Sequence, residues 1–498
     1  MSAIYNAYKP MRNYLRQCDL ENSLIDVWNL SHYLKQINKG EKSIEYIHHH
    51  YSTQALPHLW ELHVIAREVL INSTFRKGSK RLNSHDARRI LLRSIRATNN
   101  EGTKLRINTP DDLFDEILRI THQQFPTQLN STYKSLTRYL KVFGHPDIAP
   151  ILVSVTGLTI GEIFLLGMAL AGHLEHKFGI NSDQDYKDFG ISKEKSVAFF
   201  SRVSITRDRL KPLISNQLID STWEFKWSPL EAYPFINVDS KHPNRLYCPI
   251  PDLLVRRFSS GLYYDLKDDP QFGINFGKAY EDYVGELLCY AFKDTDTIVV
   301  NVEPYTVGRK NIRHGVDWIV SDKTSDLFIE CKTKRLTQEA RQVGHLLLRK
   351  DVEKISEAVV QNYKNILEAK KNLSTWRSNS NQAVPLVITF EDWFLFGPKL
   401  HQLLEDGVRE KLVKSDLDEN LITEMPYAVM SCREFELCIG AIKAVGIEIF
   451  FKGKLEEKYK HWLWKDYLRD MYKDIETINI FEAFEADWRK VMPSQAFN

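Results

Sequence analysis

From Met1 to about Leu230, apolar positions recur every three to four residues, the spacing of helices that bury one face. The pattern predicts helices over Leu24–Ile37, His58–Asn72 and Asp86–Ala97. Thr109-Pro110-Asp111-Asp112 gives an N-cap, a proline at the first helical position and acids in the first turn, so a helix is expected from there to about His122. Ser192-Lys193-Glu194-Lys195 opens another. The most apolar stretch, 151–172, has Glu162 at its centre, and its uninterrupted part, Ile163–Ala171, is too short to span a bilayer. Thr159-Ile160-Gly161-Glu162 reads instead as a capping box that opens a core helix. Between Trp223 and Tyr264 the period is lost: Pro229, Pro234, Pro243, Pro249 and Pro251 alternate with aromatics, and residues before proline avoid the helical region. This texture predicts a connector.

The pattern then changes to alternating helices and strands. A helix over Gly277–Phe292 puts Tyr280, Val284, Leu287, Leu288 and Ala291 on one stripe. A strand follows over Thr297–Val302, then two apolar runs, Val316–Val320 and Leu327–Ile329, around a polar linker from Ser321 to Asp326. After Arg335 a long helix is expected to about Lys371, then a polar loop over Arg377–Gln382 and a buried strand over Pro385–Phe390. From His401 onward the stripes over Arg433–Phe451 and Leu455–Tyr472 are helical, with Trp462, Trp464 and Trp488 as packing residues. The expected organisation is a mainly helical N-terminal domain (1–230), a connector (231–265), an α/β core (266–400) and a helical C-terminal region packed on it (401–498).

The two runs around the linker form a β-hairpin in which each carries an acid, Asp317 in the first and Glu330 in the second. Splitting the linker evenly puts Val320 opposite Leu327 and Asp317 opposite Glu330. Opposed side chains lie roughly 5 Å apart at Cβ, where like charges are destabilising. Alternation puts Lys332 on the face of Glu330 and turns Cys331 away. A hairpin whose charges simply face water is the alternative, but the apolar neighbours Trp318, Ile319, Phe328 and Ile329 suggest strands covered on both faces. A hard divalent cation would compensate the converging carboxylates.

Asp317 followed by Glu330-Cys331-Lys332 resembles the Asp…(Asp/Glu)-x-Lys signature of the PD-(D/E)XK nuclease superfamily, the fold of many restriction endonucleases. Val316 stands where the eponymous proline would be. Phe276–Leu288 is similar to the family's first core helix, which often carries a metal-associated Glu, here Glu281; the other reading of Glu281 is an exposed first-turn acid. Gln361 and Tyr363 resemble a Gln/Tyr element beside the site in several branches. The resemblance covers roughly Gln271–Lys399 and implies a restriction-endonuclease-like α/β (α+β) core flanked by mainly helical regions. It further implies Mg2+, with Mn2+ as a substitute, bound by Asp317, Glu330, the backbone carbonyl of Cys331 and, directly or through water, Glu281. Lys332 would orient water or stabilise charge on the phosphate, with Gln361 beside it.

Composition narrows the partners. A formal net charge of +2 over 498 residues excludes a basic coat, so any nucleic-acid contact must be a local patch. Arg309, Lys310, Arg313, Lys323, Lys334, Arg335, Arg341, Arg349 and Lys350 surround the hairpin and suit phosphates, with Lys334, Arg335 and Arg313 the nearest candidates; a generic charged face is the alternative. The six cysteines are scattered without a Cys-x-x-Cys, as in reduced, cytoplasmic proteins. The start of the chain lacks an apolar h-region, which predicts no signal peptide. His48-His49-His50 reads as a solvent-facing tract, since adjacent histidines diverge on a helix and no acid or thiol completes a ligand set. No phosphate loop, Gly-x-Ser-x-Gly elbow or His-Glu-x-x-His motif occurs. The reading is a Mg-dependent phosphodiesterase acting on DNA, endonuclease before exonuclease, of the kind used in prokaryotic restriction and phage defence. The helical regions offer surface for a protein partner, and no membrane is involved. The alternatives are a catalytically silent nuclease-fold module that binds nucleic acid or scaffolds a complex, and an RNA-directed nuclease.

Overall fold

A computed structural model describes residues 2–38, 56–75, 80–128, 133–307, 311–337, 341, 345–377 and 382–492. His48-His49-His50, Arg309 and Lys310 lie outside these residues. The chain is mixed α/β, predominantly helical with small mixed sheets, and divides into two compact units. Unit 1 comprises Met1–Thr132, Ala149–Pro270 and Trp488–Asn498; unit 2 comprises Tyr133–Ile148 and Gln271–Asp487.

Unit 1 holds the expected helices with adjusted ends: Leu20–Asn38, Leu59–Asn72, His85–Arg106, Pro110–Gln128 and Lys193–Val203. Local chemistry starts them. Ser84 accepts from the Ala87 amide and Ser192 from the Lys195 amide, satisfying amides that the first turn leaves without partners. The helix expected to stop at Ala97 continues to Arg106 despite Asn99, Asn100 and Gly102. Packing overrides propensity there: an added Cβ at Gly102 would stand 2.7 Å from the Ser221 carbonyl oxygen, and Arg106 is buried between Glu116 (2.6 Å) and Glu224 (3.1 Å). The apolar stretch 151–172 is split into Ala149–Thr156 and Ile160–Leu174, bent by 62°, with Gly157 between them at φ 74°. The second helix opens on the Thr159–Glu162 capping box. Among the described residues no single helix is long and apolar enough to cross a membrane.

The expected connector 231–265 is structured as part of unit 1. Its strands β3 (Phe235–Asn237) and β4 (Arg245–Tyr247) join β1 (Gly179–Asn181) and β2 (Ser204–Thr206) in a four-stranded sheet of order β1-β4-β3-β2. Phe235 and Ile236 are fully buried. The division between units falls at Pro270/Gln271, and Tyr133–Phe143, expected in the N-terminal domain, belongs to unit 2. There Arg138 is buried against Glu436 (2.9 Å) and the Phe390 carbonyl (3.1 Å).

Unit 2 is built on a five-stranded sheet of order β11-β10-β9-β8-β5. Strands β5 (Ile298–Asn301), β8 (Trp318–Ser321) and β9 (Asp326–Lys332) are antiparallel neighbours. A two-stranded ribbon, β6 (Tyr305–Val307) with β7 (Asn311–Arg313), lies between β5 and β8 in the chain. Strands β9, β10 (Ala383–Thr389) and β11 (Ala428–Ser431) are parallel. Parallel pairing needs crossovers, supplied by helices His345–Lys370 and Gly397–Lys414. Strand β11 lies in the stretch expected to be only helical; its four buried residues resemble a helix start in sequence, and only pairing with β10 distinguishes them. The loop between β8 and β9 closes on Asp322, whose carboxylate accepts from the Thr324 and Ser325 amides and, from its other oxygen, the Ile447 amide.

Candidate active site

The hairpin register is Val320↔Leu327 and Trp318↔Ile329. Asp317 stands one residue before β8 in the position that faces Glu330. Its backbone carbonyl accepts from Asn301 Nδ2 (2.8 Å), and its Oδ2 accepts from the Cys331 amide (2.7 Å). Glu330 and Lys332 share one face of β9, with Lys332 Nζ on Glu330 Oε1 at 2.5 Å. Glu330 is only 6% exposed. Its second oxygen, Oε2, is buried without a hydrogen-bond partner, although buried polar groups ordinarily find one.

Glu281 enters from the Phe272–Phe292 helix. Two contacts fix that helix against the start of β8. Trp318 Nε1 donates to the Glu281 carbonyl (2.9 Å). One turn later, Gly285 lies under the indole, where an added Cβ would come within 1.9 Å of Trp318 Cζ2. Only glycine permits this approach. Gly285 is one of three glycines in that helix, and sequence does not separate it from Gly273 and Gly277, which meet no such crowding; Asn301 carried no sequence signal.

The electrostatics follow from burial and crowding. The Asp317 carboxyl is pushed well above the usual range by burial, then by Glu330 and Glu281. Burial and Glu330 raise Glu281. Burial also raises Glu330, against the pull of Lys332. Burial disfavours the Lys332 ammonium, but Glu330 and Asp317 outweigh it, and its pKa ends above the ordinary value. Lysine is therefore held protonated, as a charge and donor and not as a base. Burial drives the Cys331 thiol well up, and Asp317 adds to it, so the side chain is inert and any part it plays runs through its backbone.

Other expected residues are placed elsewhere. Gln361 is exposed, its amide on Asn365 Oδ1 (3.3 Å), and makes no hydrogen bond to the carboxylates. Tyr363 is buried and donates to the Met425 carbonyl (2.9 Å). Between them, Asn362 Nδ2 clamps the Phe328 (2.7 Å) and Leu386 (3.2 Å) carbonyls of β9 and β10; sequence reading missed it. The nearest basic residues are engaged within the unit: Lys334 with Asp351 (2.7 Å), Arg335 with Glu391 (2.9 Å) and Arg313 with Glu368 (3.8 Å).

Among the described residues no group of three or more His, Cys, Asp or Glu is already drawn together as a cage for a metal ion. Lys332 occupies Glu330 and the Cys331 amide occupies Asp317. The donor chemistry nevertheless fits a hard cation: the acids offer only oxygen, they raise one another's pKa, and Glu330 Oε2 is a buried acceptor without a donor. No family model, curated protein or solved structure matches the chain.

Proposed function

We propose that the chain is a magnesium-dependent nuclease that hydrolyses phosphodiester bonds in DNA, with the unit 2 sheet as a restriction-endonuclease-like PD-(D/E)XK core. The observation that carries this reading is the convergence of Asp317, Glu330 and Lys332 from two adjacent strands, with Glu281 linked to them electrostatically from the neighbouring helix. The order helix, three antiparallel strands, helix, parallel strand supports the same fold.

Asp317 and Glu330 would hold the ion, with the Cys331 carbonyl and Glu281 completing its protein ligands. Bound there, magnesium supplies charge for the phosphate oxygens and acidifies a coordinated water. The remaining work belongs to the chain. Glu330 accepts the Lys332 ammonium, so that lysine stays protonated and aimed at the carboxylates. From there it can donate to the attacking water or to a phosphate oxygen as negative charge grows. The Cys331 amide fixes the Asp317 carboxylate against rotation, and Asn301 holds its backbone carbonyl. Water oxygen attacks phosphorus and its surplus proton passes to solvent; the bond to the departing sugar oxygen breaks, and that oxygen takes up a proton from solvent water.

A silent nucleic-acid-binding module is the second reading, favoured by the Lys332–Glu330 pairing that closes one carboxylate. Incubation with plasmid, linear duplex, single-stranded DNA and RNA, with magnesium or a chelator, separates them. Cleavage of DNA that both chelator and Asp317→Asn abolish is the expected result. Cleavage undiminished by Asp317→Asn, or binding without cleavage of any substrate, overturns the proposal.

A further inference from the structure

We propose that unit 1 carries a second nucleic-acid contact of its own, a groove for the phosphates of a polynucleotide strand between β1, β4 and the end of the Ile160–Leu174 helix. The groove measures about 790 Å³. Its cations come from separate elements: Lys177 just after the helix, Lys241 in the β3–β4 turn and Arg245 at the start of β4. All three are exposed, and none makes an ion pair among the described residues, although Arg245 also hydrogen-bonds the Tyr247 side chain. The nearby acids have other partners. Glu21 accepts from the Tyr247 hydroxyl (2.5 Å), Asp239 pairs with His242 (2.6 Å), and Asp183 pairs with Lys193. The lining sets three cations against one carboxylate, Glu21, and the charge over the groove is net positive. The geometry at its floor is built: Tyr247 stacks on Phe178 at 4.8 Å and 23°. Gly179 makes this possible, since an added Cβ would stand 2.8 Å from the Leu246 carbonyl oxygen and 3.0 Å from the Tyr247 ring.

Two features favour a strand over a small phosphorylated ligand. Small-molecule sites enclose most of their ligand. This groove is open, with exposed cations and amides along it, and suits a backbone that passes over it. The contrast with unit 2 is informative, because there Lys334 and Arg335 are committed to internal ion pairs. The proposal rests on the nucleic-acid part of the function above but not on hydrolysis.

The test is fluorescence anisotropy of the full chain with a labelled single-stranded oligonucleotide, in chelator so that no cleavage occurs. The slope of log affinity against log salt falls by about 0.7 for each single-strand phosphate contact removed. Lys177→Gln/Lys241→Gln/Arg245→Gln should therefore reduce the slope by about 2 and weaken low-salt binding about tenfold or more. A control with Lys9→Gln/Arg16→Gln/Lys187→Gln, equal in charge removed, should leave the slope unchanged. Replacing Arg245→Gln by Arg245→Lys in the triple variant should recover part of the loss, and circular dichroism checks that each variant folds. If the wild type does not bind the oligonucleotide, the groove proposal falls, while the nuclease reading is decided by the cleavage assay above. If it binds and the triple variant has an unchanged slope, only the groove assignment falls. Displacement of the oligonucleotide by AMP or inorganic phosphate at equal phosphate concentration would show a small-ligand site and overturn it as well.

Discussion

Gly285→Ala is the sharpest test of how the site is held. In an ordinary exposed helix this substitution stabilises by about 1 kcal/mol. Here the new methyl would stand 1.9 Å from Trp318 Cζ2, whereas ordinary contact begins at 3.4 Å, so helix and indole must separate by about 1.5 Å. The indole cannot swing away freely, because its Nε1 is bonded to the Glu281 carbonyl. Overpacking of this kind costs about 1–3 kcal/mol, and losing the hydrogen bond adds about 1 kcal/mol. Net of the helix-propensity gain, a loss of about 2 kcal/mol is expected. With a urea dependence near 3 kcal/mol per molar, the unfolding transition of unit 2 should fall by about 0.7 M, read by tryptophan fluorescence. Because the displaced ring adjoins Asp317, cleavage should fall as well. Trp318→Phe removes the clashing benzo-ring atoms, so the double variant should be more stable than the sum of its parts by about 1 kcal/mol or more. A midpoint that stays put or rises on Gly285→Ala would refute the packing argument.

Further outcomes follow from the same geometry. Lys332→Ala should lower cleavage about 100-fold or more by removing a preorganised charge, while the rise in melting temperature on adding magnesium persists, since Glu330 loses its internal competitor; loss of that rise would mean that the lysine builds the site and does not serve its chemistry. Glu434, accepting from the Ser431 and Trp464 amides, is pushed up to about 7 by burial, with Asp392 adding to it. A carboxyl raised in the folded state holds its proton there more tightly than in the unfolded chain, so stability is lost as pH rises from the ordinary range near 4 to about 7. Melting curves should show that Glu434→Gln removes most of this decline, worth ~3 kcal/mol; an unchanged pH profile would contradict it.

What the sequence could and could not reveal divides along contact range. The hairpin register was legible because a six-residue linker between apolar runs leaves one even split, and Val320↔Leu327 results. The Thr159–Glu162 box was legible because it is written within four residues. Strands β3 and β4 were not, since their partners β1 and β2 lie up to 68 residues earlier and three-residue strands carry no period. The same limit applies to charge. Lys334 and Arg335 look free in sequence, yet Asp351 and Glu391 reach them from other elements. Gln361 fell on the exposed side because Asn362 and Tyr363 take the inward positions of that turn.

The Asp322 clasp has a consequence for how the chain is made. One carboxylate closes the loop between the two strands that carry Asp317 and Glu330, and it also receives the Ile447 amide 125 residues further on. During translation the strands emerge well before that amide does. The nascent hairpin therefore leaves the ribosome without its anchor, and a chain cut short before Ile447 never acquires it.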